Sequence, residues 1–506
     1  MRETSEPVFL GLNTESIIQS PPKNRVSANQ LRTLSPPARG AFLGHLFAPV
    51  DIASVVFFRI AIGTIMVWEV WRHFSRGWIQ SDYIGPVYHF SYYGFGWVQP
   101  WPGNGMYVHF FALGVLAACI ALGFCYRASI VLFFVGYTYV FLQDQALYMN
   151  HFYLIALISF LLIFIPAHRS FSVDALWRPR IHSETVPVWT LWLLMAQMAF
   201  VYFYGGLAKL NGDRLRGEPM RTFLRSNTDF PVIGSLFTDE RMVYLFSYGG
   251  LLFDLLIVPF LLWRRTRLIA FAFAVAFHVT NSHLFSIGIF PWLAIAATTL
   301  FFSPSWPRRL VDFPRNLRRW SLRRPAARHD HEEQEMREED ASAVPTRLKA
   351  RQWIVVSLLG VLLAVQLLVP LRHFLYPGNA GWTYEGHRFS WRMMLRAAGP
   401  GVALFHVTDR ESGRSWDLDP KSYLTTRQMM HLVDRPDMVL QFSHKIAEDM
   451  RAKGRDEVEV RATVLSSLHG RDHQNLVDPT VDLAKQPRTL APASWIVPLE
   501  EPLPPS

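Results

Sequence analysis

Nine stretches of about 20 largely apolar residues lie between positions 50 and 370, and this repetition constrains the chain more than any other feature. They run approximately 52–71, 107–125, 128–146, 150–167, 188–209, 246–263, 267–283, 284–302 and 353–370. Each approaches the length at which a helix rising about 1.5 Å per residue crosses a bilayer core. Within lipid the backbone must satisfy its own N–H and C=O groups, so such runs are read as transmembrane helices. The seventh and eighth nearly touch, which leaves their boundary open and makes the seventh a candidate for a tilted or partly re-entrant segment. Charged residues make up 18% of the chain, against roughly a quarter in soluble domains. A wholly soluble or disordered chain is thereby excluded. A disulfide scaffold is excluded as well, because there are only two cysteines.

Charge orients the spans. Arg127, then Arg169, Arg178 and Arg180, then Arg264, Arg265 and Arg267, and the basic cluster from Arg308 to Arg328 all fall on one side. That side holds roughly 24 Lys and Arg, against roughly 8 in the opposite loops, which places the N-terminus inside and, after nine spans, the C-terminus outside. The net charge of +10 is therefore topological, and nucleic acid is not an expected partner. Residues 1–45, polar and with no apolar core, read as a flexible cytoplasmic tail and not a signal peptide. Residues 46–302 form the main membrane domain, 303–352 a cytoplasmic linker containing the acidic run Glu332–Asp340, and 353–375 the last span. The outside loop 77–106, rich in aromatic residues and glycine, is expected to lie at the interface as a belt or a lid. Cys119 and Cys125 share one apolar segment, about 120° apart if both are helical, and are expected to be free packed thiols. Arginine exceeds lysine and no Asn-x-Ser/Thr sequon occurs. Both hint at a GC-rich bacterial genome, hence a bacterial inner membrane.

Beyond about Gly381 the period changes. Ala403, Phe405 and Val407 alternate with their neighbours, as do Val458, Val460, Ala462 and Val464, which predicts half-buried strands. Gly413 supplies a hairpin turn, and 424–453 reads as an amphipathic helix or helix pair. Residues 376–506 are thus expected to be a β-rich extracytoplasmic domain. The fold class is a polytopic α-helical membrane protein of about nine spans, N-in and C-out, carrying that domain.

Ionisable residues in spans are costly and are candidates for function. Lys209 ends the fifth span, about 31 Å from its start at Val188 and so near the outer surface. His151 opens the fourth span, His278 lies near the outer end of the seventh and His373 follows the ninth. Four spans therefore present a base to one leaflet. Singly, a terminal lysine ordinarily snorkels to headgroups and an interfacial histidine ordinarily caps a helix. Tyr202, Gly205 and Gly206 on the face of Lys209 favour a site, because the glycines admit a second helix or a flat ligand. A lysine kept from water there holds its amine free to act as a general base. His278, Asn281 and His283 have no carboxylate at ligand spacing, so no metal is expected. No P-loop, Rossmann glycine pattern or nucleophile elbow occurs.

The stretch Val201–Glu218, with Tyr204-Gly-Gly-Leu-Ala-Lys209 at its centre, resembles the catalytic-lysine segment of vitamin K-dependent gamma-glutamyl carboxylases and their bacterial HTTM-domain relatives. Asn150-His151 with Tyr153-Leu154, Phe277-His278 with Asn281-Ser282 and Leu284–Trp292, and Pro370-Leu-Arg-His373 are similar to further family blocks in the same order. Trp382-Thr383, Phe389-Ser-Trp391 with Met393-Met394, Asp478-Pro479 with Val481-Asp482, and Ser494-Trp495 with Pro498-Leu499 resemble its lumenal domain. The likeness covers about residues 45–500. It departs at Ala208, where the family has a second lysine, lacks a counterpart of the animal cysteine pair, and is shorter at the C-terminus. These departures bear on the peptide substrate more than on the core chemistry.

The resemblance implies a coupled reaction. The Lys209 amine would deprotonate reduced vitamin K (menaquinone or phylloquinone hydroquinone), whose oxygenation yields a strong base and finally the epoxide. That base removes the γ-proton of a glutamate in a peptide or protein substrate, and CO2 captures the carbanion. O2 and CO2 are co-substrates. His151 would assist CO2 or the reacting species, while His278, His373 and, less directly, Asn150 would bind the quinol. The site faces the extracytoplasmic side, where quinol arrives through membrane lipid and peptide from water. Two other readings keep the same residues: a quinol epoxidase without glutamate carboxylation, and a non-enzymatic membrane binding protein in which the histidines and lysine are anchors.

Overall fold

The computed structural model describes residues 43–231, 233–285, 287–312 and 348–504. All but the last three residues of the expected tail, most of the linker and the acidic run Glu332–Asp340 fall outside the described residues. Helices stand at all nine expected places: α1 (Ala53–Ser75), α2 (Gly105–Leu122), α3 (Tyr126–Gln143), α4 (Asn150–Phe164), α5 (Val188–Lys209), α6 (Glu240–Leu262), α7 (Arg267–Leu284), α8 (Phe290–Thr298) and α9 (Ala350–Leu368). Five of them, α1, α2, α5, α6 and α9 with its 3-10 extension to Leu375, are long and apolar enough to cross a membrane. The 18 residues of α3 and of α7 include tyrosines and glutamine, or histidines and asparagine, that dilute their apolar character.

The eighth expected span is not a full-length helix. The segment has Gly288 at φ +65° and Pro291 in the first turn of α8, leaving a nine-residue helix and a short 3-10 turn to Phe301. A turn also separates the cysteines. α2 ends at Leu122, Gly123 adopts φ +66° and Cys125 precedes α3, so the two thiols, both free, do not share a helix.

Small residues set the helix contacts, as expected where lipid removes the hydrophobic drive for association. On α1, a Cβ at Gly63 would lie 2.6 Å from the Ala121 backbone nitrogen of α2. On α5, a Cβ at Gly206 would meet the Leu255 side chain of α6 at 2.6 Å and its backbone nitrogen at 3.1 Å. Gly206→Val is therefore expected to destabilise the protein by about 2 kcal/mol or more through overpacking. An unchanged thermal midpoint in detergent would show that α6 yields freely.

The C-terminal unit has a four-stranded antiparallel sheet, β1 (Val402–Asp409), β2 (Ser415–Leu418), β3 (Val458–Ser466) and β4 (Gln474–Asn475), in the order β2-β1-β3-β4. The expected alternation holds: Phe405 faces Ala462 and Val407 faces Val460 in register, all four fully buried. Gly413, at φ +67°, turns β1 into β2. The helix pair is also present, as α10 (Thr426–Leu432), closed by a Thr425–Gln428 capping box, and α11 (Pro436–Ala452). Val439, Phe442 and Ile446 of α11 are fully buried in the core they form with the sheet, and the Phe405 and Phe442 rings pack edge-on at 4.9 Å. The sheet is smaller than expected, because long irregular segments flank it on both sides. The unit is a sheet covered by helices and not a β-rich domain.

The aromatic loop 77–106 divides in two. Trp97 and Trp101 are exposed, but Phe90 is fully buried in the core of the C-terminal unit. A row of polar contacts joins the same faces. Gln428 donates to the Tyr88 carbonyl at 2.7 Å and to Asp144 at 2.9 Å, and Arg427 pairs with Asp82 at 2.6 Å. On the other side Asp213 accepts from His469 at 2.9 Å and Arg471 at 2.8 Å. Burial opposes the Asp213 charge, but these two donors outweigh it and hold its carboxyl below the usual range.

Candidate active site

A cavity of about 480 Å3 lies where α4–α7 meet the C-terminal unit. Lys209, the last residue of α5, reaches into it and is 6% exposed. Its Nζ donates to the Gly205 carbonyl of its own helix at 3.2 Å and to Asp254 Oδ2 of α6. Asp254 is equally buried, at 6%. The glycines make this pairing possible: a Cβ at Gly205 would lie 3.0 Å from Asp254 Oδ2. The Lys209 amine thus has a carboxylate partner, which the sequence expectation of an isolated lysine did not include. Asp254 was nonetheless visible as an acidic residue in the middle of an apolar span.

About two turns back along α5, the Tyr202 hydroxyl meets His278 Nε2 of α7 at 2.8 Å. His278 Nδ1 is buried with no hydrogen-bond partner among the described residues. A buried unsatisfied nitrogen is costly, and in a cavity wall it marks a place for a ligand's polar group. Phe223, Phe246, Phe277, Phe285 and Phe290 supply apolar walls around it.

His151, at the start of α4, lines the same cavity and packs edge-on against Phe152. Behind it stands a buried ionic group of α1. Gly288, at φ +65°, lies where a Cβ would contact both His151 Nε2 (3.4 Å) and Arg72 Nη1 (3.6 Å), and Arg72 donates to Glu69 at 2.6 Å. Asn150 lines the cavity too, but its side chain is engaged: it accepts from the Tyr148 hydroxyl at 3.0 Å and donates to the Arg392 carbonyl at 3.5 Å. His373 does not line the cavity. It sits in the 3-10 extension of α9, with Nδ1 2.8 Å from the Pro370 carbonyl oxygen and the backbone of Gly386 pressed over it. Four of the five expected residues are therefore brought together and the fifth stands apart.

The roof comes from residues 384–396 of the C-terminal unit. This segment dips so far that Trp391, fully exposed to no solvent at all, belongs to the core of the membrane domain and packs on Tyr153 at 5.1 Å. Tyr384, Phe389, Trp391 and Met394 all adopt φ between +54° and +61°. Non-glycine residues in that region carry strain that the surrounding packing must hold. Arg392, Arg396 and Arg435 with His387 and His431 line this side. Arg396 is engaged by Asp434 at 3.0 Å, whereas Arg392 Nε and both ring nitrogens of His387 are buried without partners among the described residues. Burial, then the charges of Arg396, Arg392, Arg388 and Arg435, push His387 well below the usual imidazole range, so its ring is neutral. Burial and Arg396 push Arg392 down to about 10, which leaves it a cation at neutral pH. The cavity therefore has an apolar floor with a lysine–carboxylate pair and a cationic roof. Sequence reading missed the roof, because its arginines and histidines are spread over residues 387–435 and converge only in the fold.

The HTTM domain family matches residues 47–306, half of the chain, and the lumenal domain of vitamin K-dependent gamma-carboxylase matches residues 351–502. The chain belongs to the gamma-carboxylase family. The two matches divide at the linker, so the floor of the cavity comes from the HTTM part and its roof from the lumenal part. Membership carries with it an integral membrane protein, a gamma-carboxylase-like function, a dependence on vitamin K and a glutamate-containing protein substrate. No solved structure matches the chain.

Proposed function

We propose that this gamma-carboxylase relative carries out the full coupled reaction on the extracytoplasmic side of a bacterial inner membrane. Reduced vitamin K, O2, CO2 and a peptide glutamate become the epoxide, gamma-carboxyglutamate, water and a proton. The observation that carries this reading is one cavity with an apolar floor, holding the buried Lys209–Asp254 pair, under a cationic roof. A quinol epoxidase alone has no use for such a roof, whereas a glutamate side chain does. A binding protein has no use for a buried amine held beside a carboxylate in the cavity wall.

The quinol fits the floor. Phenylalanine walls suit its ring, and the free Nδ1 of His278 suits one hydroxyl. When bound, it supplies through its oxidation the strong base that an amine alone cannot provide. Lys209 accepts the first proton as general base and Asp254 holds the amine in place. Tyr202 fixes the His278 ring through Nε2. His151, with Arg72 behind it, faces the CO2 side. Arg392 and His387 hold the glutamate carboxylate, and the Phe389–Met394 segment keeps water out.

The deciding experiment measures epoxide and labelled-CO2 incorporation in one preparation with a Glu-rich peptide. Epoxide without label supports the epoxidase reading, and neither product removes both enzyme readings. Within it, Arg392→Gln is expected to raise KM for the peptide on the order of tenfold, the loss of one charged hydrogen bond. Quinol epoxidation measured with saturating peptide should change little. An unaltered peptide KM would take Arg392 out of the carboxylate site.

A further inference from the structure

A second groove, of about 540 Å3, lies at the end of α5 remote from Lys209. Its walls are apolar and include Leu191, Trp192 and Met195 of α5. Three arginines border it: Arg264 in the α6–α7 turn, Arg267 at the start of α7, and Arg309. No carboxylate is among the described lining residues. Arg267 donates to the Leu261 and Leu262 carbonyls at 2.8 and 3.1 Å and lies close enough to Arg264 for the two charges to repel. Arg264 and Arg309 are exposed, and neither has an ion pair or side-chain hydrogen bond among the described residues. Positive charge at this end of the helices would by itself satisfy the orientation rule. It does not require three arginines to converge on one apolar groove whose described lining has no carboxylate.

We propose that this groove holds an anionic phospholipid, with the phosphate between Arg264, Arg267 and Arg309 and an acyl chain along Leu191, Trp192 and Met195. Charge complementarity selects the headgroup and the apolar walls select the chain. The acidic run Glu332–Asp340 of this protein could neutralise the arginines but would leave those walls uncovered. The lipid stands at the opposite end of α5 from Lys209, so its binding does not depend on the catalytic reading.

The test is native mass spectrometry of the full-length protein in neutral detergent, titrated with phosphatidylglycerol or with phosphatidylcholine of the same chains. Phosphatidylglycerol is expected to be retained preferentially, and Arg264→Gln and Arg309→Gln each to weaken its retention by roughly fivefold. Arg178→Gln, in a different loop, should leave retention unchanged. Equal retention of the two lipids, insensitivity to both groove variants, an equal loss with Arg178→Gln, or displacement by inorganic phosphate alone would each overturn the proposal. So would a carbodiimide cross-link from position 264 to the acidic run in the Arg264→Lys variant when it persists at saturating phosphatidylglycerol.

Discussion

Lys209→Ala is expected to lower epoxide formation from reduced vitamin K by about a thousandfold, within the range removed with a positioned general base. Lys209 is the one lysine among the described residues lining the cavity, and its amine is held at the floor by the Gly205 carbonyl and Asp254. The substitution also leaves Asp254 buried without its partner. Breaking a buried pair on one side costs about 3–5 kcal/mol, so lost activity could reflect lost fold. Lys209→Met with Asp254→Leu removes both charges and keeps the volume, which restores stability without restoring the base. The expected result is therefore two variants of different thermal stability and equally low epoxide formation. Epoxide formation within tenfold of wild type in the stable double variant would remove Lys209 as the base.

How far the sequence reached can be seen at α5. Its apolar length, the two glycines and the terminal lysine were legible, because each is a local property of one helix. That Asp254 faces Lys209, and that α6 approaches so closely, were not, because pairing between spans depends on packing. The same division holds in the C-terminal unit. Alternation at Phe405 and Val407 announced the strand, and the amphipathic stretch 424–453 announced the helix pair. The descent of Trp391 into the membrane core had no local signal, since it follows from four left-handed residues that no periodicity encodes. His373 shows the converse. Its block follows the last span in the expected order, yet the 3-10 extension of α9 turns its ring onto the Pro370 carbonyl and away from the cavity.

Asp254→Asn is expected to lower kcat for epoxide formation by about a hundredfold while leaving KM for the quinol within a few-fold. The amide keeps the shape of the carboxylate and can still accept a hydrogen bond from Lys209, so the helix contact at Gly205 and Gly206 survives. What it loses is the charge and the capacity to take a proton. A carboxylate beside the amine can take over a proton that the amine collects. With the amide, a proton collected by Lys209 has no second acceptor at the floor. In the proposed reading the quinol is held instead by the phenylalanine walls and the Tyr202–His278 pair, to which Asp254 makes no hydrogen bond among the described residues. A split between kcat and KM therefore separates proton handling from packing. Asp254→Glu, which keeps the carboxylate on a longer arm, should recover part of kcat. Should Asp254→Asn retain full kcat, the carboxylate is a strut between α5 and α6, and Lys209 must pass its proton directly to water or product.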